Sequence, residues 1–131
     1  MPVLFVFLAE RSNMMKIRVD ALDRLFSQYI RRRDRGICQR CGKYVGLTRG
    51  LHCAHFYGRA NRNTRWDDRN CVALCYGCHL YFHAYPLEFT EFFKARLGEQ
   101  AFDLLRARAN EVGRPDKKAI ELWLKKELKE V

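Results

Sequence analysis

The chain has 131 residues, 48% hydrophobic and 31% charged. That suits one folded domain with a core of its own and excludes both a disordered segment and two domains of ordinary size. With 25 Lys and Arg against 15 Asp and Glu, the net charge is +10 and the pI is near 9.6, which favours a polyanionic partner such as nucleic acid.

The charge is uneven along the chain. Residues 1–83 hold 15 basic and 6 acidic residues, whereas residues 84–131 hold 10 and 9. The opening MPVLFVFLAERSNMMK has an apolar run of only Val3 to Ala9, no basic residue before it and no small-residue cleavage pattern after it. It predicts neither a signal peptide nor a membrane span. Met14 or Met15 is an alternative start, which would leave residues 1–15 as an extension or edge strand. The expected location is therefore the cytoplasm, where thiols stay reduced and six cysteines read as metal ligands rather than disulfides.

Next, DALDRLFSQYIRRRDRG puts Leu22, Leu25, Phe26, Tyr29 and Ile30 on one helical face and stops at Gly36, so a helix is predicted within residues 16–36. Its RRRDR end reads either as a solvated helix terminus favoured by the helix dipole or as a phosphate contact. From Cys38 to about Arg69 the chain is rich in Gly, Arg and Asn, with the apolar pieces KYVGL and GLHCAHF suited to a strand pair. A helical pattern returns at YGCHLYFHAY and ends before Pro86. Three amphipathic helices follow, ended or opened by Gly98, Gly113 and Pro115, and their Phe89, Phe92, Phe93, Phe102 and Trp123 read as core.

All six cysteines and all four histidines fall between Cys38 and His83. Cys38-Gln-Arg-Cys41 and Cys75-Tyr-Gly-Cys78 are two C-x2-C knuckles, the spacing at which two thiolates share one tetrahedral Zn2+. Four thiolates close the coordination shell, so this zinc is structural. The 33 residues between Cys41 and Cys75 exceed the common short pattern, and a hairpin and a loop would fill them. A redox dithiol is the alternative reading, opposed by the matched second pair and by the lack of a thioredoxin-like unit. His79 and His83, four apart on a predicted helix, lie on one face and could hold a second cation. Cys53 and Cys71 read as small buried residues, and Trp66 as a loop anchor.

These residues, CQRCG, HCAHF, RN and LCYGCH, resemble the HNH (His-Me finger) endonucleases. CAHFYGRANRNTRWDDRNCVALCYGCH is more particularly similar to phage recombination endonucleases of the NinG or Rap type, over about residues 20–100. The resemblance implies an α+β fold: a small treble-clef-like ββα metal unit at residues 37–85, flanked by the N-terminal helix and three supporting helices over residues 86–131. It implies a metal-dependent DNA endonuclease selective for branched intermediates, with His55 as general base and Asn70 holding the loop and His55 in register. His79 and His83 would bind the catalytic Mg2+ or Mn2+, and the setting would be the bacterial host cytoplasm for a phage or prophage protein. The chain departs from the pattern at Ala54, where HNH enzymes commonly carry a metal ligand. His52, two residues back on the same strand face, is the candidate substitute, with Asp67 and Asp68 as others.

Arg59, Arg62, Arg65 and Arg69 recur through the loop, and guanidinium groups at that density beside such a site read as contacts to DNA backbone phosphates. A homodimer would suit symmetric cutting of two strands. Two other functions are open: a non-catalytic zinc-stabilised nucleic-acid binding module, favoured by Ala54, and a zinc-built protein-interaction domain, which leaves the charge unexplained.

Overall fold

The computed structural model describes residues 17–130, so the expected extension at residues 1–15 lies outside the described residues. Helix α1 (Ala21–Arg33) opens on a capping box in which the Asp20 carboxylate accepts from Asp23 N at 2.8 Å and the Asp23 carboxylate accepts from Asp20 N at 2.9 Å. It buries Leu22, Phe26, Tyr29 and Ile30, the face that the spacing predicts. The helix ends where Gly36, at φ +71°, returns its N–H to Arg31 O at 3.0 Å. A Cβ at Gly36 would stand 3.0 Å from the Tyr44 ring and 3.2 Å from the Gly46 backbone, so only glycine fits.

The strand pair differs from the expected one. KYVGL contributes only an isolated bridge, Ile37 to Tyr44, which closes the first cysteine knuckle. Strand β1 (Leu51–His55) pairs instead with β2 (Cys71–Cys75), antiparallel, with Leu51 opposite Cys75 and His55 opposite Cys71. CVALC lacks the alternation by which a strand is read from sequence. It needs none, since Cys71 to Leu74 are all buried, with α1 covering one face of the hairpin and α2 the other.

Helix α2 (Tyr76–Ala84) follows β2 without a loop, and α3 (Pro86–Leu97), α4 (Glu99–Ala109) and α5 (Lys117–Glu130) complete the chain. The described residues therefore form a mixed α+β fold of five α-helices, one two-stranded sheet and a 3-10 turn (Asp68–Asn70). Among the described residues, no helix is long and apolar enough to cross a membrane. Phe56, just past β1, packs its ring 5.1 to 5.7 Å from those of Phe89, Phe93 and Phe102, which anchors α3 and α4 to the hairpin. Trp123 is 40% exposed and lies against the Tyr29 ring at 5.2 Å, a lid on α1 rather than interior core.

Two buried carboxylates tie these elements together. Asp34 accepts from Ala73 N in β2 at 2.8 Å and pairs with Arg33 at 3.0 Å and with Arg96 of α3 at 3.1 Å. Asp23 accepts from Arg65 Nε and from Trp66 Nε1, each at 2.9 Å, and so holds the loop after β1 against α1. Burial works against the charge on Asp23. Hydrogen bonds from Arg65 and from the Asp20 backbone outweigh that penalty and hold its pKa at about 2, below the usual 3.8. A carboxyl with a depressed folded pKa stabilises above its unfolded pKa and loses that contribution as pH falls through the folded one. Asp23→Asn is therefore expected to lower stability at pH 7 by about 2–4 kcal/mol. In urea unfolding, the gap to wild type should stay constant down to about pH 5 and close between pH 4 and 2.

Candidate metal centres and histidine cluster

The pairing of β1 with β2 delivers Cys75 to the end of the sheet and Cys78 to the first turn of α2, facing the knuckle that carries Cys38 and Cys41. Their four Sγ atoms all lie within 4.8 Å of one another, with Cys41 and Cys75 3.9 Å apart. Around a tetrahedral Zn2+ with bonds near 2.3 Å, neighbouring sulfurs lie about 3.8 Å apart, so the cluster fits zinc. Burial opposes the Cys38 thiolate, yet backbone N–H groups of Cys41, Cys75 and Arg40 outweigh it and bring its pKa down to about 6. Burial pushes Cys78 up to about 12 despite the Arg40 guanidinium, which donates to its sulfur at 3.4 Å. A dication shared by the four would offset their crowded negative charge. Arg40 also stacks 3.8 Å from the centre of the Tyr81 ring. Its only signal in the sequence is its place inside the first knuckle.

Strand alternation sends His52 and Ala54 toward α2. There His52 Nδ1 lies 2.9 Å from His79 Nδ1, and His79 Nε2 lies 3.2 Å from His83 Nε2. His79 stands in the middle, with one ring nitrogen toward each neighbour. Hence the three do not converge on one point: among the described residues, the sets of three or more ligating atoms within 4.8 Å of one another do not include them. Burial, followed by His83 and His52, lowers His79 to about 3, and burial and Arg31 lower His52. Both imidazoles are neutral at pH 7, the form that binds metals. Asp67 does not serve this cluster. It is buried and accepts from Arg69 at 3.2 Å and Arg108 at 3.3 Å.

His55 points to the other face of the hairpin, with Cys53 and Cys71, and a ring nitrogen and the two sulfurs lie within 4.8 Å of one another. Its Nε2 is 2.9 Å from Arg65 O. A carbonyl only accepts, so Nε2 carries the proton and Nδ1 the lone pair. Burial, then the positive charge of Arg59, lowers His55 to about 4. Asn70 is fully buried, and its amide holds the loop rather than the His55 ring. Oδ1 accepts from Tyr57 N at 2.8 Å, and Nδ2 donates to Tyr57 O and Thr64 O at 2.9 and 3.0 Å. Its backbone carbonyl accepts from Phe56 N, the residue after His55, at 2.8 Å.

The four loop arginines divide. Arg65 is committed to Asp23 and to Arg18 O, and Arg69 to Asp67, so these two are held by the protein itself. Arg62 is exposed. Arg59 lies close enough to depress both His55 and His79, and its buried Nε has no hydrogen-bond partner among the described residues. Trp66 is buried and donates to Asp23, the anchor role expected of it. At the end of α1, Arg33 reaches the backbone of Asp68 and Cys71 instead of solvent, while Arg32 stays exposed and donates to Leu128 O at 3.2 Å. Arg31, Arg32 and Arg49 line an open cavity of about 430 Å3 with Gln28 and Thr48. Nothing in the sequence around Arg49 singles it out.

Chelator competition with a colorimetric zinc indicator should show that Cys78→Ala abolishes the tightest zinc site. Arg40→Ala should keep that site but weaken it roughly 10- to 100-fold. Asn70→Ala removes three buried side-chain hydrogen bonds and should cost about 2–4 kcal/mol in urea unfolding without lowering the zinc content.

No curated protein sequence and no solved structure matches this chain. Residues 10–131 match the family described as bacteriophage lambda NinG protein, nearly the whole length including the tail helices, and the chain therefore belongs to the NinG family.

Proposed function

We propose that the chain is a zinc-stabilised HNH endonuclease that hydrolyses DNA phosphodiester bonds with a second divalent cation and acts on branched recombination intermediates. The observation that carries this reading is the histidine cluster at the junction of hairpin and helix. It joins a strand residue, His52, to a helix residue, His79, with His55 and Arg59 within electrostatic reach.

The cluster fits a cation in one way above others. Two nitrogens about 2.1 Å from a shared ion and at right angles to it lie about 3.0 Å apart, close to the 2.9 Å between His52 Nδ1 and His79 Nδ1. His79 Nε2–H then donates to His83 Nε2, which makes His83 an orienting partner rather than a third ligand. Of the two expected cations, both of which favour oxygen ligands, Mn2+ accepts imidazole nitrogen more readily than Mg2+ does. When bound, the cation would offset the charge developing on the scissile phosphate and the leaving 3′ oxygen.

The remaining work falls to the chain. Arg65 O fixes the His55 tautomer, so the Nδ1 lone pair is the group that takes a proton from the attacking water. Arg59 and Arg62 are the loop guanidiniums left to hold phosphates. Products would carry a 5′ phosphate and a 3′ hydroxyl.

A second reading rests on one specific observation. His55 leaves one face of the hairpin and His52 the other, where His79 and His83 of α2 stand, which favours a non-catalytic zinc-stabilised module that binds nucleic acid.

Cleavage of junction, D-loop, single-stranded and linear DNA, with Mn2+, Mg2+ or chelator, separates the two. Under the first reading wild type cuts branched DNA with Mn2+, and His55→Ala cuts roughly 100- to 10,000-fold more slowly while still binding. If wild type binds every substrate and cuts none with any cation, the endonuclease reading fails and the module stands. His52→Ala should abolish Mn2+ binding seen by electron paramagnetic resonance. His83→Ala should weaken it roughly 10- to 100-fold.

A further inference from the structure

We propose that Cys53, His55 and Cys71 form a second metal site, separate from the four-cysteine cluster, that takes a thiophilic divalent cation such as Zn2+ or Cd2+ and, when filled, occupies the lone pair of His55. Cys53 and His55 are two apart on β1, and Cys71 stands opposite His55 on β2, so all three side chains leave the same face of the hairpin. Their ligating atoms lie within 4.8 Å of one another without any rearrangement.

The donor set is two sulfurs and one imidazole, a soft set that selects zinc-like ions over Mg2+. Three protein ligands leave the fourth position of a tetrahedral ion open to water. His55 is already oriented as a ligand, because its Nε2–H is held by Arg65 O at 2.9 Å, which puts the lone pair of the neutral ring on Nδ1. A metal-bound histidine commonly donates its other N–H to a backbone carbonyl in this way. Cys71 is buried and Phe26 of α1 lies 6.0 Å from the His55 ring, so the site is shielded, while Cys53 and His55 remain half-buried and reachable. The Arg33 guanidinium, bonded to Cys71 O at 2.7 Å, supplies positive charge beside the thiolates. Binding releases the two thiol protons to solvent and involves no change of oxidation state.

The functional consequence rests on the endonuclease reading. Nδ1 has one lone pair, which either takes a proton from water or is bound to the ion. Metal at this site and general-base action are mutually exclusive, so zinc inhibits the enzyme that another cation activates.

The metal site is tested without reference to cleavage. The full chain, stripped of metal and reloaded with Cd2+, is followed by cadmium NMR, which separates a four-sulfur environment from one of two sulfurs and a nitrogen. Wild type should show the four-sulfur signal first and the mixed sulfur–nitrogen signal as further Cd2+ is added. Cys53→Ser and Cys71→Ala should each keep the first and lose the second, and His52→Ala should keep both. Cys53→Ser, at a half-buried position, decides the matter if Cys71→Ala does not fold. No mixed signal in wild type, or its persistence in Cys53→Ser, overturns the site. In cleavage by protein loaded only at its four-cysteine site, added Zn2+ should slow wild type at least tenfold relative to its rate without added Zn2+ and slow Cys53→Ser much less. Equal inhibition of the two overturns the inhibitory consequence while leaving the NMR result to judge the site. Absence of cleavage in every protein refutes the endonuclease reading, not the metal site.

Discussion

The register of one short strand pair decides what the candidate site contains. With Leu51 opposite Cys75 and His55 opposite Cys71, His52 and Ala54 face α2 while Cys53 and His55 face α1. A slip of one residue would exchange the two sets, and no ligand cluster on either face would survive it. The chain holds this register from three directions. Cys75 is fixed at one end by the four-cysteine cluster, and Asn70 fixes the other end by binding the loop backbone. Between them, the outward polar groups of Ala73 are satisfied: its N–H by the Asp34 carboxylate at 2.8 Å, and its carbonyl by Gln39 N at 3.0 Å. The contacts of Asn70, Asp34 and Gln39 satisfy backbone groups that would otherwise be buried without a partner, and each of the three contacts is available only in one alignment.

The same economy governs charge. A net +10 invites the view that the arginines form one basic surface, but several of them serve the interior. Asp34 holds Arg33 and Arg96, Asp23 holds Arg65, and Asp67 holds Arg69 and Arg108. Each of these three carboxylates is buried and bonded to backbone or side chain besides its arginine, the condition under which a buried ion pair is tolerated. Removing one aspartate would strand one or two guanidiniums. The basic groups left for an anionic partner are consequently fewer than the composition implies; they include Arg59 and Arg62 on the loop and Arg49 at the cavity beside α1, with Arg24, Arg35 and Lys43 also exposed.

Much of this was legible in the sequence, and the reasons differ by element. Helix α1 could be read because its apolar residues keep the helical period and its end carries a glycine in the left-handed region. The cysteine cluster could be read because the knuckle spacing constrains two ligands locally, whatever the rest of the chain does. Strand β2 could not, because a strand buried on both faces loses the alternation that identifies strands. Nor could the division of the arginines: Arg59 and Arg65 occupy similar surroundings in sequence, and only the tertiary placement of Asp23 takes one and leaves the other. The histidine trio was half legible. The spacing of His79 and His83 puts them on one helical face, but that His79 turns its Nδ1 to His52 and its Nε2 to His83 depends on the hairpin.

Ala54 then takes on a meaning beyond a missing ligand. Burial, aided by Arg31 at His52 and by the neighbouring His83 and His52 at His79, keeps the His52 and His79 imidazoles neutral, so these two bring no negative charge of their own to an ion. A dication held by these two neutral nitrogens gains no charge–charge attraction from them, so the free protein would hold it less tightly than a thiolate site would. On the endonuclease reading, the scissile phosphate is the anion that completes the site. Cation and DNA must then strengthen each other's binding by the same factor, because the coupling between two ligands is reciprocal. The thiol face of the hairpin has the opposite character. Its two sulfurs bring their own negative charge once deprotonated, so an ion there needs no substrate to stay. One strand would thus present a cation site that depends on DNA on one face and a site independent of DNA on the other, with His55 belonging to the second face by its side chain and to the first by its proposed chemistry.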